Sequence, residues 1–295
     1  MKLVIPAPAK INRFLHITGR LNNGYHRLQT AFQLLDYSDT VILRSTSNNE
    51  ITLSPKLAGV ADNDNLVLKA ARLLAAHCEC SQGAQITLIK KLPMGGGLGG
   101  GSSDAASTLL GLNQLWSLKL SIGELAELSL RLGADVPVFV RGQNALAEGV
   151  GERLTAVKLP KRWFAVIKPS VNIPTAGIFA HPQLTRDSLP IRIAAFFETG
   201  QLDKQLDALR NDCESLVRAE FPAVEQAFQW LAQYGSPRLT GTGSCLFASF
   251  NSEQQAAQVI KQMPAPLSGF VASSCDYSPA HKALHIAPCA QTDEQ

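Results

Sequence analysis

The chain has 295 residues, 45% hydrophobic and 17% charged, an ordinary globular composition with apolar material for more than one core. Its formal net charge is +3, from 27 basic and 24 acidic residues; the basic pairs Lys90-Lys91 and Lys161-Arg162 stand alone, so no concentrated basic face for nucleic acid is indicated. No apolar run approaches the roughly 20 residues that span a bilayer, and Pro6, Pro8 and Lys10 interrupt the opening stretch before it reaches the length of a signal-peptide core.

Leu3 to Ile5 and Ile11 to Ile17 read as strands, followed by a turn at Asn22-Asn23-Gly24. Further strands are expected at Gln33–Asp36, Thr40–Leu43 and, from its period-two alternation, Ile51–Ser54. Asn65 opens a helix over Leu66–His77, with Leu66, Ala70, Leu73 and Leu74 on one face. Gln85–Ile89 is a strand, and a glycine-rich segment separates it from a helix over Ala105–Trp116, which Ser102 or Ser103 is placed to cap. Ser121-x-x-Glu124 is a capping box. It opens a helix that runs through Ile122, Leu125, Leu128 and Leu132 and stops at Gly133. Asp135 follows, then Val136-Pro-Val-Phe-Val140, read as a strand. Glu148–Glu152 reads as a loop near a domain boundary.

The second half continues with a strand at Phe164–Ile167 and helices at Leu202–Arg210 and Val224–Tyr234. Thr240-Gly-Thr-Gly-Ser-Cys245 precedes a strand at Leu246–Phe250, and a helix follows at Glu253–Met263. The tail after Pro288 reads as frayed. Strands and helices recur without clean alternation, which predicts an α+β architecture, and the length predicts two domains at roughly 100–200 residues each. We place them at 1–153 and 154–288, with a tail at 289–295. The six cysteines (Cys78, Cys80, Cys213, Cys245, Cys275 and Cys289) are irregularly spaced and read as reduced. The histidines form no metal-spaced cluster. A soluble, cytoplasmic protein is expected.

Six of the seven residues from Gly95 to Gly101 are glycine. Each glycine loses more backbone freedom on folding than alanine, roughly 0.5–1 kcal/mol within regular elements, so a cluster this dense needs a compensating role. Without Cβ atoms, backbone N–H groups can converge on an anion. Placed between a strand and a helix, the loop delivers that anion to the helix N-terminus. Hydrogen bonds to a charged phosphate contribute about 1.5–3 kcal/mol each. Leu98 and the tight flanking elements argue against a flexible linker. No Gly-Lys-Ser/Thr follows, so the loop is not a Walker A motif. Gly95-x-Gly97-x-x-Gly100 matches the dinucleotide fingerprint only formally: Pro93 parts strand from loop, and the acid about 20 residues on would be Glu124, better explained as a helix cap.

Pro93-Met-Gly-Gly-Gly-Leu-Gly-Gly-Gly-Ser-Ser103 resembles the phosphate loop of the GHMP kinases, which act on galactose, homoserine, mevalonate and related alcohols. Pro6-Ala-Pro-Ala-Lys-Ile-Asn12, Gly24-Tyr-His26 and Leu132-Gly-Ala-Asp-Val-Pro-Val-Phe139 sharpen the resemblance. Thr240-Gly-Thr-Gly-Ser244 is similar to the third glycine motif. The match runs from about residue 6 to about residue 250. It points, within the family, to the branch that phosphorylates a cytidine diphosphate conjugate of methylerythritol in non-mevalonate isoprenoid synthesis. The resemblance implies a two-domain GHMP kinase fold: an N-terminal ATP-binding domain with a left-handed β-α-β unit, and a ferredoxin-like C-terminal domain. It also implies ATP with Mg²⁺, a small-molecule alcohol substrate, and neither nucleic acid nor membrane as partner. At Arg13 the family commonly carries an apolar residue.

Residue by residue, the resemblance makes Asp135 the catalytic base and Lys10 the catalytic lysine, an ammonium able to stabilise the attacking oxygen. The phosphate loop is Pro93, Met94, Gly95, Gly96, Gly97, Leu98, Gly99, Gly100, Gly101, Ser102 and Ser103, with Asn65 and Leu66 bordering the adenine. Tyr25 would supply a stacking face for cytosine, Asn12 and the His26 segment its edge hydrogen bonds, and Phe179 an opposing wall. Thr240 and Gly241 would brace the loop or touch substrate. The metal ligands stay unknown; Ser102 and Ser103 are as well explained by capping. Three rival readings remain: a GHMP kinase for another alcohol such as homoserine or mevalonate, a silent nucleotide-binding module, and a dinucleotide-dependent oxidoreductase.

Overall fold

A computed structural model describes residues 1–22, 24–192 and 202–287. Asn23, Cys289 and the tail at 289–295 lie outside the described residues. Two long strands form the spine, β1 (Lys2–Arg20) and β2 (His26–Thr46). They pair antiparallel along their length, with irregularities between Pro8 and Lys10, Asn12 and Leu15, and Ile17 and Gly19. The sequence predicts shorter pieces because Pro6 and Pro8 lack ladder donors. The strand continues through them because the Pro6 carbonyl points away from β2, accepting from Ser107 Oγ at 3.0 Å. A residue's N–H and C=O leave a strand on the same side, so no bond to β2 is lost at Pro6, nor at Pro8 two residues on.

β3 (Ile51–Leu53), α1 (Leu66–His77) and β4 (Gly83–Ile89) form a β-α-β unit with β3 and β4 parallel. Asn65 caps α1 as expected, its side chain accepting from Val67 N at 2.9 Å. The buried face of α1 is Val67, Leu68, Ala70, Ala71 and Leu74, while Leu66 and Leu73 are only partly buried. α2 (Gly100–Leu115) runs beneath the sheet and is buried almost throughout, from Ser103 to Leu112. α3 (Ile122–Ser129) carries the predicted capping box, with Glu124 N donating to Ser121 Oγ at 3.2 Å and Ser121 N to Glu124 Oε2 at 2.7 Å. It ends at Ser129 rather than at Leu132.

Two expectations are corrected here. Val136–Arg141 is a helix, α4, not a strand. Val136 to Val140 are all buried, so no polar position reveals the period; Pro137, unfavourable inside a sheet, suits a first helical turn. Nor does Ser102 or Ser103 cap α2. Gly99 occupies that position in the left-handed conformation, and no side chain caps the helix.

β5 (Ala145–Glu148) and β6 (Arg153–Ala156) form a hairpin that adds to β2. The second half holds β7 (Trp163–Lys168), α5 (Thr175–Ala180), α6 (Leu202–Ala208), α7 (Glu214–Glu220) and α8 (Pro222–Leu231). β8 (Arg238–Leu239), β9 (Leu246–Phe250), α9 (Glu253–Lys261), β10 (Ser268–Cys275) and α10 (Pro279–Ala283) follow. Its four strands lie antiparallel in the order β10-β7-β9-β8. Helices link first to second and third to fourth, the ferredoxin-like βαββαβ arrangement.

β10 joins the two halves into one sheet by pairing Ser274 and Cys275 with Leu35 and Leu34 of β2. α10 returns to the first half, where Ala280 and Leu284 enter its core. A separate apolar cluster sits between the halves: Ala9, Ile11, Leu35, Leu92, Leu98, Phe164, Val166, Cys245, Phe247 and Ala272. The five described cysteines are unpaired.

Candidate active site

The glycine-rich segment leaves β4 and turns into α2. Leu98, 1% exposed, plugs into the cluster between the halves; burying a leucine contributes about 1.5–3 kcal/mol, which anchors the loop. Gly95, Gly97 and Gly99 have φ of 65°, 75° and 71°, values that suit glycine. A Cβ on Gly97 would lie 2.1 Å from the Thr240 carbonyl oxygen, and one on Gly99 2.8 Å from the Phe139 ring. The loop's carbonyls turn toward the second half. Gly95 O accepts from Ser244 N at 3.3 Å and Gly96 O from Cys245 N at 3.2 Å. Gly97 O accepts from Thr240 Oγ1 at 3.1 Å and Lys10 Nζ at 3.0 Å. With the carbonyls held there and no side chain on the helix terminus, the first N–H groups of α2 stay open to an anion.

Lys10 lies beside this loop, 2% exposed. β1 positions it through Lys10 N, which donates to Leu98 O at 3.0 Å. Its ammonium also donates to Asn12 Oδ1 at 2.6 Å and lies 3.2 Å from Asp135 Oδ2. Asp135, at the N-terminus of α4, keeps its side chain 38% exposed. The sequence-predicted pair is thus assembled.

A cleft of about 940 Å³ runs past the pair. Lys10, Asn12, Tyr25, His26, Asn65, Leu66, Pro93 to Ser102, Asp135, Phe179 and Gly241 all line it; Ser103 and Thr240, both fully buried, do not. Thr240 braces the loop through Gly97 and receives Asn12 N at 3.1 Å. Asn12 differs from the sequence expectation. Its amide donates to Thr30 Oγ1 at 2.9 Å while its oxygen takes Lys10, so the side chain orients the lysine rather than offering a free edge. At the far end His26 stacks on Phe179, with centroids 5.1 Å apart at 29°. Burial, then the charges of Arg186 and Arg20, hold the His26 ring below its ordinary pKa. Tyr25 is 61% exposed at the rim.

Sequence reasoning missed a charged cluster at the opposite end. Lys90 Nζ donates to Asp39 Oδ2 and, at 2.7 Å, to Asp104 Oδ2. Asp39 Oδ1 also receives Lys91 N at 2.5 Å and Leu92 N at 2.7 Å. One ammonium therefore ties the entry of the loop to the second turn of α2. Burial, opposed by Lys90 and reinforced by Asp39, pushes the Asp104 carboxyl up to about 7. Burial alone would lower Lys90, but Asp104 and Asp39 outweigh it and raise it. The available signal was position: Lys90 directly follows the strand that feeds the loop. Arg13, the residue unusual for the family, is buried and bonded to Gln33 Oε1 at 2.8 Å, Asp203 Oδ1 at 2.9 Å and Asp207 Oδ1 at 2.5 Å. It joins β1 to α6, outside the cleft.

Among the described residues no group of three or more His, Cys, Asp or Glu side chains is placed to hold a metal ion, and no helix is long and apolar enough to cross a membrane. Residues 65–143 match the family model of the GHMP kinases N terminal domain, and residues 193–269 that of the GHMP kinases C terminal domain. A Chromohalobacter salexigens protein named 4-diphosphocytidyl-2-C-methyl-D-erythritol kinase is 52% identical over 97% of this chain and 95% of its own length. A Marinobacter nauticus protein of the same name is 50% identical over 96% of this chain and 98% of its own. A crystal structure of 4-(cytidine 5'-diphospho)-2C-methyl-D-erythritol kinase superposes with a TM-score of 0.77 at 29% identity, covering 92% of this chain and 99% of that one. A mevalonate kinase structure, at 17% identity and a TM-score of 0.66 over 92% of this chain and 99% of its own, shares the fold. The chain belongs to the GHMP kinases, in the family of the 4-diphosphocytidyl-2-C-methyl-D-erythritol kinases.

Proposed function

We propose that the chain transfers the γ-phosphoryl group of ATP to the 2-hydroxyl of 4-diphosphocytidyl-2-C-methyl-D-erythritol, in isoprenoid precursor synthesis. One observation carries this reading. The Lys10–Asp135 pair, 3.2 Å apart, stands between a glycine cradle and an aromatic end within a single cleft.

Gly95 to Ser102 would cradle the phosphates, with Asn65 and Leu66 beside the adenine. His26, Tyr25 and Phe179 would receive the cytosine. Asp135 accepts the hydroxyl proton as the new O–P bond forms and the bond to the departing ADP breaks. A carboxylate suffices as base because the transition state is loose and the proton leaves late; a positioned base contributes about 10²–10⁴-fold. Lys10 holds Asp135 in place and sets positive charge beside the reacting oxygens. Mg²⁺ favours binding through substrate phosphates rather than an all-protein cage. The Ser102 hydroxyl in the cleft is one protein group that would serve it. The ion would neutralise phosphate charge. A cytoplasmic setting fits the unpaired cysteines.

Calorimetry with cytidine diphosphate, combined with ADP release in the presence of candidate alcohols, tests the reading. Cytidine diphosphate should bind, and only its methylerythritol conjugate should stimulate ADP release. ADP release with homoserine or mevalonate, without cytidine diphosphate binding, would overturn it.

A further inference from the structure

Arg186, between α5 and α6, links both sides of the aromatic end. Its Nε donates to His26 Nε2 at 3.1 Å. One terminal nitrogen donates to the carbonyls of Phe179 and His181, at 2.8 and 2.7 Å, and the other to that of Leu184 at 3.1 Å. A guanidinium only donates and does not deprotonate in proteins. The ring nitrogen facing it must therefore supply a lone pair. Neutral His26 then carries its proton on Nδ1, since the bond at one ring nitrogen decides the state of the other. Nδ1 meets no protein acceptor among the described residues, and His26 lines the cleft. The same guanidinium fixes the backbone of Phe179, the ring stacked on His26. Arg186 touches neither Lys10 nor Asp135, so its action is confined to this end.

We propose that Arg186 is a positioning residue for base specificity, locking His26 as the Nδ1–H tautomer so that the cleft presents a donor to the pyrimidine. Cytosine N3 accepts such a hydrogen bond. Uracil N3 carries a proton of its own and opposes it. The inference rests on the cytidine reading given above.

Three measurements test it. In wild-type protein without ligand, ¹⁵N–¹H correlation of the imidazoles should place the His26 proton on Nδ1. In Arg186→Met, a mixture of tautomers should appear. Affinity for cytidine diphosphate should fall about tenfold, the cost of one misplaced buried hydrogen bond. Its advantage over uridine diphosphate should shrink, with KM for ATP within about twofold of wild type. Arg186→Lys, which keeps the charge but not the fork, should recover only part of the discrimination.

A wild-type His26 proton on Nε2 would overturn the proposal, whether or not the variants fold. So would an unchanged cytidine-to-uridine ratio in Arg186→Met, or an equal rise in the KM of both substrates, which marks a structural role only. Failure of wild-type protein to bind cytidine diphosphate would refute the cytidine reading itself. The tautomer measurement, made without ligand, would still stand on its own.

Discussion

Replacing Lys10 with methionine keeps an unbranched side chain out to Cε and removes the ammonium with its donors. The ammonium has three oxygen partners: Asn12 Oδ1 at 2.6 Å, Gly97 O at 3.0 Å and Asp135 Oδ2 at 3.2 Å. Two of these retain a second donor in Thr240 Oγ1, at 3.3 and 3.1 Å, but one hydroxyl proton serves only one of them at a time. Asp135 is 38% exposed, so water replaces its lost partner and the ion pair contributes little to stability. The expected loss of stability is therefore one poorly satisfied buried acceptor, about 1–3 kcal/mol, read by urea denaturation. Turnover should respond far more, because the methionine removes charge stabilisation at the reacting oxygens. A fall in kcat of roughly 10²–10³ is expected in an ADP-release assay. Combined with Asp135→Asn, the second change should add much less than it does alone, since the pair acts as a unit. A kcat within about threefold of wild type in a folded Lys10→Met protein would refute the reasoning.

Asp135→Asn alone should lower kcat by roughly 10²–10⁴ with KM for ATP little changed, as steady-state kinetics would show. Gly101→Val should raise the ATP KM about tenfold or more at near-normal stability: its Cβ meets only Leu66 Cδ1, at 3.5 Å, while the branched methyls enter the phosphate site. Gly99 is unsuited to this test, since its φ of 71° and the Phe139 ring at 2.8 Å would compromise the fold itself. Burial lowers the His281 pKa to about 4 from the usual 6.5. Between those values the unfolded chain binds more protons, so this group's stabilisation is complete above 6.5 and lost as pH falls toward 4. His281→Gln should therefore lose roughly 2 kcal/mol less than wild type between pH 7 and pH 5 in paired urea titrations. Arg13→Met should destabilise by about 1–3 kcal/mol in the same assay, less than a fully uncompensated buried pair. Arg162 still holds Asp203 at 2.7 Å, and Asp207 is 48% exposed. Both KM values should be unchanged.

Elements with a one-sided apolar pattern or a capping residue were legible in the sequence. Asn65 and Ser121 each mark a helix start that the structure keeps, because a side-chain oxygen satisfying an open N–H is a local matter. Val136 to Val140 failed for the opposite reason: burial on every side removes the polar positions that give a period away. Pro6 and Pro8 misled for a third reason. A missing donor matters only on the side of the strand that pairs, and the Ser107–Pro6 bond that reveals the side spans about a hundred residues of sequence.

The same distinction separates the legible from the hidden parts of the site. The glycine loop shows in sequence because its requirement is on the backbone, and only one residue type meets it at Gly97 and Gly99. Lys90, Asp39 and Asp104 do not show, since each is an ordinary residue until folding brings three charges from β2, the end of β4 and the second turn of α2 together. Asn12 belongs to both groups. Its place in a recognisable motif is plain, but its partners Lys10, Thr30 and Thr240 are not, and those partners turn an expected base-recognition group into the support of the lysine. Motifs therefore located the chemistry here, whereas the division of labour among their residues had to come from hydrogen-bond partners. Arg186 makes the point most sharply: it lies in none of the recognised motifs, yet its four donated bonds govern both rings at the substrate end.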